Sequence, residues 1–407
     1  MKKGWQTKQL GELAELRGRI GWRGLTAKEY TKSGPLFLSV HSLNYGDYVD
    51  FRDAFHISEE RYIESPEIVL KKDDVLICKD GAGIGKLGIV GELPDSTTIN
   101  SSLLLIRSRK DILPKFLYRC LTSPYFQDIV QSRLNGATTP HLYQRDITEF
   151  PIVLPPLPEQ QRIVGLLDEA FAGLATAQAN AEKNLQNARA LFESHLQSVF
   201  TERGKGWVET TLGAEVHLLS GFPFKSARYT NSEKDVRLLR GDNIIQGSLR
   251  WDDVKRWPAS DTAEYERYRL CAGDVVLAMD RPWVKAGLKR AQILADDLPC
   301  LLVQRTSRLR GNGSLNNRFL VYLISSGAFT RHILGVQTGI GVPHISGQQI
   351  KEFQFLKPPV KDQVHIADAL DTLATETQRL ESLCQQKLAA LAALKKSLLH
   401  RAFTGAL

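Results

Sequence analysis

The loop Asp80-Gly81-Ala82-Gly83-Ile84-Gly85-Lys86-Leu87 carries the glycines and the lysine with which a backbone turn cradles phosphate. In a nucleotide-binding loop a glycine opens the motif and a Ser or Thr after the lysine reaches magnesium; here Asp80 and Leu87 hold those places. The loop is not a nucleotide site, yet its glycines and Lys86 still suit close approach to a nucleic-acid phosphate. Asp242, Asp253 and Lys255 have the loose spacing of a metal-dependent nuclease, a pattern short enough to arise by chance. A methyltransferase would show a glycine-rich cofactor loop and an Asn or Asp before a Pro-Pro pair, where this chain has Leu154 and Lys357. His141 and His344 have no Cys or carboxylate at ligand spacing, so no metal is expected. No catalytic set is visible.

The basic and aromatic loops are more informative. The first half offers Arg17, Arg19, Trp22, Arg23, His41, Asn44 and Tyr45, with Lys79, Lys86, His141 and Tyr143 further on. The second offers Phe222, Lys225, Arg240, Asp242 and Asn243, then Arg281, Trp283, Lys285 and His344. Arg and Lys pair with phosphates and guanine edges, and Asn pairs bidentately with adenine, so these residues are the candidate DNA contacts.

What must position such loops is a duplicated scaffold. Pro155-Pro156-Leu157-Pro158-Glu159-Gln160 returns as Pro358-Pro359-Val360-Lys361-Asp362-Gln363, at an offset of 358 − 155 = 203. A helical run follows each copy, to Thr201 and to Thr404, without a change of offset. Every inserted residue would turn later side chains by about 100°, so length is part of the design. Upstream, Gly4-Trp5 is echoed by Gly206-Trp207, and the strand Asp74-Val75-Leu76-Ile77-Cys78 by Asp274-Val275-Val276-Leu277-Ala278. Phe116, Leu117, Leu121, Phe126 and Val130 predict a packing helix, repeated by Phe319, Leu320, Ile324, Phe329 and Ile333. Each half then closes on a turn with a Pro-His pair, Thr138-Thr139-Pro140-His141 and Gly341-Val342-Pro343-His344.

The long helices place Ile163, Leu167, Ala170, Leu174, Ala177, Ala181, Ala188, Phe192 and Val199 on one line, and Ile366, Leu370, Leu373, Thr377, Leu380, Cys384, Leu391 and Leu394 on the other. Steps of three and four predict a coiled-coil seam. The expected fold is α+β: two similar globular domains, 1–154 and 206–357, separated by long helices over 155–205 and 358–407. The helices are expected to pack as an antiparallel coiled coil about an internal pseudo-two-fold repeat, with parallel packing or pairing with other chains as the alternatives. A helix of about 43 residues would span roughly 64 Å.

With 407 residues, 43% hydrophobic and 24% charged, the chain has the make-up of a folded protein with more than one core. Its net charge of +8 favours a polyanionic partner. Five scattered cysteines, never spaced C-x-x-C, argue against a disulfide framework or zinc ribbon and suit a reducing compartment. The first residues, Met1-Lys2-Lys3-Gly4-Trp5, lack an apolar signal core, and a cytoplasmic location is expected.

Taken together, the duplicated Pro-Pro-(Leu/Val)-x-(Glu/Asp)-Gln element with its helix resembles the specificity subunit of type I restriction-modification systems. So do Asp80-Gly81 and Gly85-Lys86, the opening Ser220-Gly221-Phe222-Pro223-Phe224-Lys225-Ser226 and the ending Phe403-Thr404-Gly405. Lys361 and Asp362 depart slightly, standing where the first copy has Pro158 and Glu159. The resemblance implies a DNA reader without catalysis of its own, each half a target recognition domain for one part of a split double-stranded DNA sequence. It also implies two modification subunits that methylate adenine with S-adenosylmethionine, and two restriction subunits that use ATP and magnesium. The partner-facing residues it suggests are Glu159, Gln160, Arg162, Asp362 and Gln363. Two readers on a rigid spacer should engage sites about 10 base pairs apart. Rival readings are a fused nuclease or methyltransferase, a coiled-coil protein scaffold, and a sequence reader in a related defence or methylation complex.

Overall fold

Alternating apolar strands punctuated by glycine and Asp-Gly turns build the same pair of small sheets twice. The computed structural model describes residues 4–20, 24–134, 141–201, 204–339 and 341–407. The chain divides into two compact units, Met1–Glu182 with Gln385–Leu407, and Lys183–Cys384.

In the first unit a ribbon pairs Gln6–Gln9 with Pro151–Leu154, so the two ends of the globular body are tied together before the long helix begins. One sheet runs in the order Ala14–Gly18, Leu103–Ser108, Val75–Cys78, Leu87–Ile89, and a second joins Phe55–His56, Thr31–Leu38 and Thr97–Ile99. Val75–Cys78 is buried at every position, as a central strand covered on both faces should be. The second unit repeats this plan. Val208–Thr211 pairs with Gln354–Lys357, and a sheet runs Val216–Ser220, Thr306–Gly311, Val275–Ala278, Arg290–Gln292 with one added strand, Gln246–Gly247. Lys255–Trp257, Val236–Leu239 and Cys300–Leu302 form its smaller sheet.

The expected single packing helix is two helices in each half: Pro114–Leu121 with Pro124–Leu134, and Asn317–Ser325 with Gly327–Val336. Pro124 has no N–H to continue the first helix, which explains the break there. At the matching place in the second half, Ser326 caps the new helix, its Oγ accepting from Phe329 N at 3.2 Å.

The long helices are Leu157–Thr201 and Val360–Thr404, 45 residues each. Inside the first unit the early part of one lies beside the late part of the other, with the Lys395 ammonium 5.1 Å from the Phe171 ring centre. Inside the second, Arg189 pairs with Glu381 at 2.9 Å. The segments run antiparallel in both. The seam departs from expectation at Leu380 and Leu394, which are 47% and 48% exposed. The buried stripe steps instead from Thr377 to the half-buried Glu381 and Cys384. A 3.6-residue turn drifts against a 3.5-residue repeat, and burial follows the packing of each unit over strict spacing.

Among the described residues no single helix is long and apolar enough to cross a membrane. The cysteines are free thiols of two kinds. Burial pushes Cys120 and Cys300 up to about 12, while Cys271 is exposed. A thiolate-directed reagent at neutral pH is therefore expected to modify Cys271 promptly, with Cys120 and Cys300 reacting only on unfolding. Peptide mapping after a timed quench checks this.

Candidate nucleic-acid interface

In the first unit the glycine loop is a hairpin connection: a short helical turn, Gly81–Gly83, joins strands Val75–Cys78 and Leu87–Ile89, which pair antiparallel. A nucleotide-binding loop leads from a strand into a helix, so the topology also excludes that reading. Gly81 and Gly85 lie at φ of 78° and 84°, where glycine alone is at ease. Lys86 Nζ donates to Asn44 Oδ1 at 2.7 Å. Asp80 bridges the backbone of His141 and accepts its ring nitrogen, and the Tyr143 ring stands 4.6 Å from that imidazole. Lys79 lies 3.6 Å from the Asp80 carboxylate. One turn therefore gathers Asn44, Lys79, Lys86, His141 and Tyr143.

Other sequence candidates of this unit fare differently. Arg17 and His41 are exposed, Arg17 facing Glu15 at 3.6 Å. Tyr45 is exposed, and its hydroxyl donates to Asp53 at 2.5 Å, which pushes the phenol up. Trp22 and Arg23 lie outside the described residues, as does Thr138-Thr139-Pro140. Arg19 is not a DNA contact: only 4% exposed, it donates from Nε to Ile99 O and from Nη1 to Ser65 Oγ, with its guanidinium 5.4 Å from the Phe37 ring centre. An arginine so enclosed ties two strands and a turn together.

The second unit holds a concavity of about 520 Å³ whose lining includes Arg240, Arg281, Lys289 and Arg305 against the carboxylates of Asp242 and Asp280. Four cations against two anions leave it positive. Burial holds the Lys289 ammonium below its ordinary range, and the Arg281 and Arg250 charges add to that. Trp283 stands on a small ribbon, Trp283–Val284 with Gly287–Leu288, and Lys285 is exposed at its turn. Lys225 and His344 are exposed, the imidazole 3.1 Å from Thr338 Oγ1. Phe222 is packed among Phe224, Tyr265 and Tyr268, with centroids 4.9 to 5.3 Å apart, so it braces its loop. Asn243 is also a correction. It is 4% exposed, and its amide closes the turn by accepting from Arg240 N and donating to Arg250 O, both at 3.0 Å.

Sequence reading missed Lys289 and Arg305. The signal for Lys289 was the repeat itself, since Lys289 − 203 is Lys86, whereas Arg305 falls opposite Ser102 and no motif singles it out. Of the nuclease-like set, Asp253 pairs with Lys255 at 2.9 Å and Asp242 with Arg240 at 3.3 Å. Among the described residues no three His, Cys, Asp or Glu side chains gather as metal ligands.

Two of the residues expected to face partners are locks inside each unit. Gln160 and Gln363 are 0% exposed. Gln160 Oε1 accepts from Leu113 N, and its Nε2 donates to Asp111 O and Pro155 O, at 2.8, 3.0 and 2.9 Å. Gln363 does the same with Asn316 N, Ser314 O and Pro358 O, at 2.8, 3.0 and 2.8 Å. Glu159 is engaged by Arg162 at 2.7 Å, while Asp362 remains exposed.

The same sheet scaffold occurs in both units with different cationic loops, and in each the buried glutamine keys the globular body onto the start of a long helix. The profile of the type I restriction modification DNA specificity domain matches residues 2–184. The EcoAI specificity subunit of Escherichia coli is 35% identical over 181 residues, covering 44% of this chain and 30% of that subunit. The MjaVIII specificity subunit of Methanocaldococcus jannaschii is 25% identical over 324 residues, 76% of this chain and 74% of that one. A chain solved in connection with complex assembly and conformational transition of the type I R-M system shares the fold, with a TM-score of 0.79, 17% identity, and coverage of 99% of this chain and 98% of that one. The first half of the chain therefore matches the type I restriction modification DNA specificity domain, and over most of its length the chain is similar to specificity subunits of type I restriction enzymes.

Proposed function

We propose that the chain is the DNA-reading subunit of a type I restriction-modification complex. Residues 1–154 and 206–357 act as target recognition domains, each engaging one block of a two-part double-stranded target. The long helices over 155–205 and 358–407 set the gap. Two modification subunits that use S-adenosylmethionine dock on this spacer, and two restriction subunits that use ATP and magnesium join them in the cytoplasm. The specificity chain contributes position, and the partners contribute chemistry.

The observation that carries this reading is repetition of the scaffold without repetition of the loops. Backbone pairing, the aspartate-to-histidine bridge, the buried glutamine and the lysine that follows the loop recur in both units, Lys86 O and Lys289 O accepting from Cys78 N and Ala278 N, whereas Gly81 and Ser102 give way to Arg281 and Arg305. Identical frameworks bearing different polar groups are what reading two different short sequences requires.

Co-expression with the modification subunit, followed by mapping of methylated adenines, tests it. The expected result is one motif of two short blocks with a fixed gap. Asn44→Ala with Lys86→Ala should relax one block, and Arg240→Ala should weaken methylation at sites of the same motif. A contiguous motif, or none, sinks the reading.

A further inference from the structure

Among the described residues only three other than glycine have a left-handed backbone, Asp73, Arg281 and Arg305, at φ of 71°, 45° and 63°. Asp visits that region readily, but a long side chain does so under strain that the surroundings must hold in place. Both arginines lie on the wall of the same positive concavity.

The first unit shows what the scaffold itself demands at these two places. Lys79 N donates to Ser102 O, and Met279 N donates to Arg305 O, both at 2.8 Å. Leu142 N donates to Lys79 O, and Ile345 N to Met279 O, both at 2.9 Å. Asp80 bridges His141 as Asp280 bridges His344. Arg281 therefore stands where the first unit has Gly81, at φ of 78°, and Arg305 where it has Ser102. The fold accepts a glycine and a serine there. Two strained arginines are consequently not needed by the fold.

Their side chains are arranged for use. Arg305 is held by an ion pair to Asp280, which fixes the direction of its guanidinium. Arg281 is exposed and anchored by its backbone, Arg281 N donating to Pro343 O at 2.6 Å, while among the described residues none makes a hydrogen bond or ion pair with its guanidinium. A planar fork offered at the edge of a positive concavity matches the O6 and N7 acceptors of guanine, with Arg240 and Lys289 beside it for phosphate.

Resting on the reading of the chain as a split DNA reader, we infer that Arg281 and Arg305 are specificity-determining residues of the second unit. Each reads guanine, so the block it recognises contains at least one G·C pair. The first unit, with Gly81 and Ser102 in these places, reads its block by other groups.

The test compares methylated-adenine maps from the full chain co-expressed with its modification subunit, as wild type, Arg281→Gly and Arg305→Ser. These substitutions restore the residues the first unit already folds with. The expected result is an unchanged first block and gap, with a G·C position of the second block becoming degenerate, its discrimination falling tenfold or more. A wild-type second block made only of A·T pairs overturns the assignment, as does a motif unchanged by both substitutions or methylation lost evenly at all sites. A wild type that yields no two-part motif overturns the split-reader reading instead.

Discussion

Gln363→Ala and, separately, Gln160→Ala are each expected to lower the stability of their own unit by about 3 kcal/mol. Each truncation leaves one N–H and two carbonyls in a dry site: Asn316 N, Ser314 O and Pro358 O in one unit, Leu113 N, Asp111 O and Pro155 O in the other. An unsatisfied buried group costs about 1 kcal/mol or more, and three lose their partner together. In each unit the glutamine joins the backbone before the packing helix to the proline carbonyl that opens the long helix. Glutamate should not rescue, because its second oxygen would face two carbonyls. Denaturant unfolding must be followed by hydrogen exchange in each unit, since two units need not unfold as one. The informative amides are Leu113 and Asn316. A loss under about 1 kcal/mol in both variants would show that water replaces the amide, and would return these glutamines to the partner-facing surface.

The repeat was legible because it rests on covalent register. The repeat survives in the sequence whatever the loops do, and it located the helices and the Pro-Pro-x-x-x-Gln element at an offset of 203 and the central strands at an offset of 200. What the element does was not legible. A polar residue at the start of an amphipathic helix looks solvent-facing, and only the fold brings Leu113 and Asp111 over Gln160.

The loops show the same limit from the other side. Arg19 and Asn243 have the residue types of base readers, yet both are consumed by the scaffold, at 4% exposure each. Composition cannot distinguish an arginine that binds Ile99 O from one that faces solvent. Arg305 carries no motif, and it becomes visible only when the backbone hydrogen bonds align it with Ser102. Side-chain chemistry was readable in the chain, whereas direction needed the structure.

The second large effect is expected where the two units solve one packing problem by opposite means. Leu13 and Leu154 are buried in the first unit; the matching places, 13 + 202 and 154 + 203, hold Glu215 and Lys357, paired at 2.7 Å. Burial works against ionisation of Glu215, but hydrogen bonds from Lys357, Ser314 and Thr210 outweigh it and hold the carboxyl below its ordinary 4.5. Glu215→Leu alone should cost about 3 kcal/mol, since it leaves the Lys357 ammonium unpaired with 17% of its side chain exposed. Glu215→Leu with Lys357→Leu should be neutral or stabilising by about 1 kcal/mol, because the first unit already folds with that pair and the desolvation of two charges is removed. Acid distinguishes the forms further. A depressed carboxyl contributes stability that is present above 4.5 and lost as pH falls through the lower folded value, so the wild-type second unit should weaken below about pH 4.5 by a component that the double variant lacks. Unfolding of the second unit at pH 7 and pH 3.5, in wild type and double variant, measures it. An equal acid loss in both would place that sensitivity in other carboxylates, and a double variant as unstable as the single would mean that the second unit packs this corner around the charges themselves.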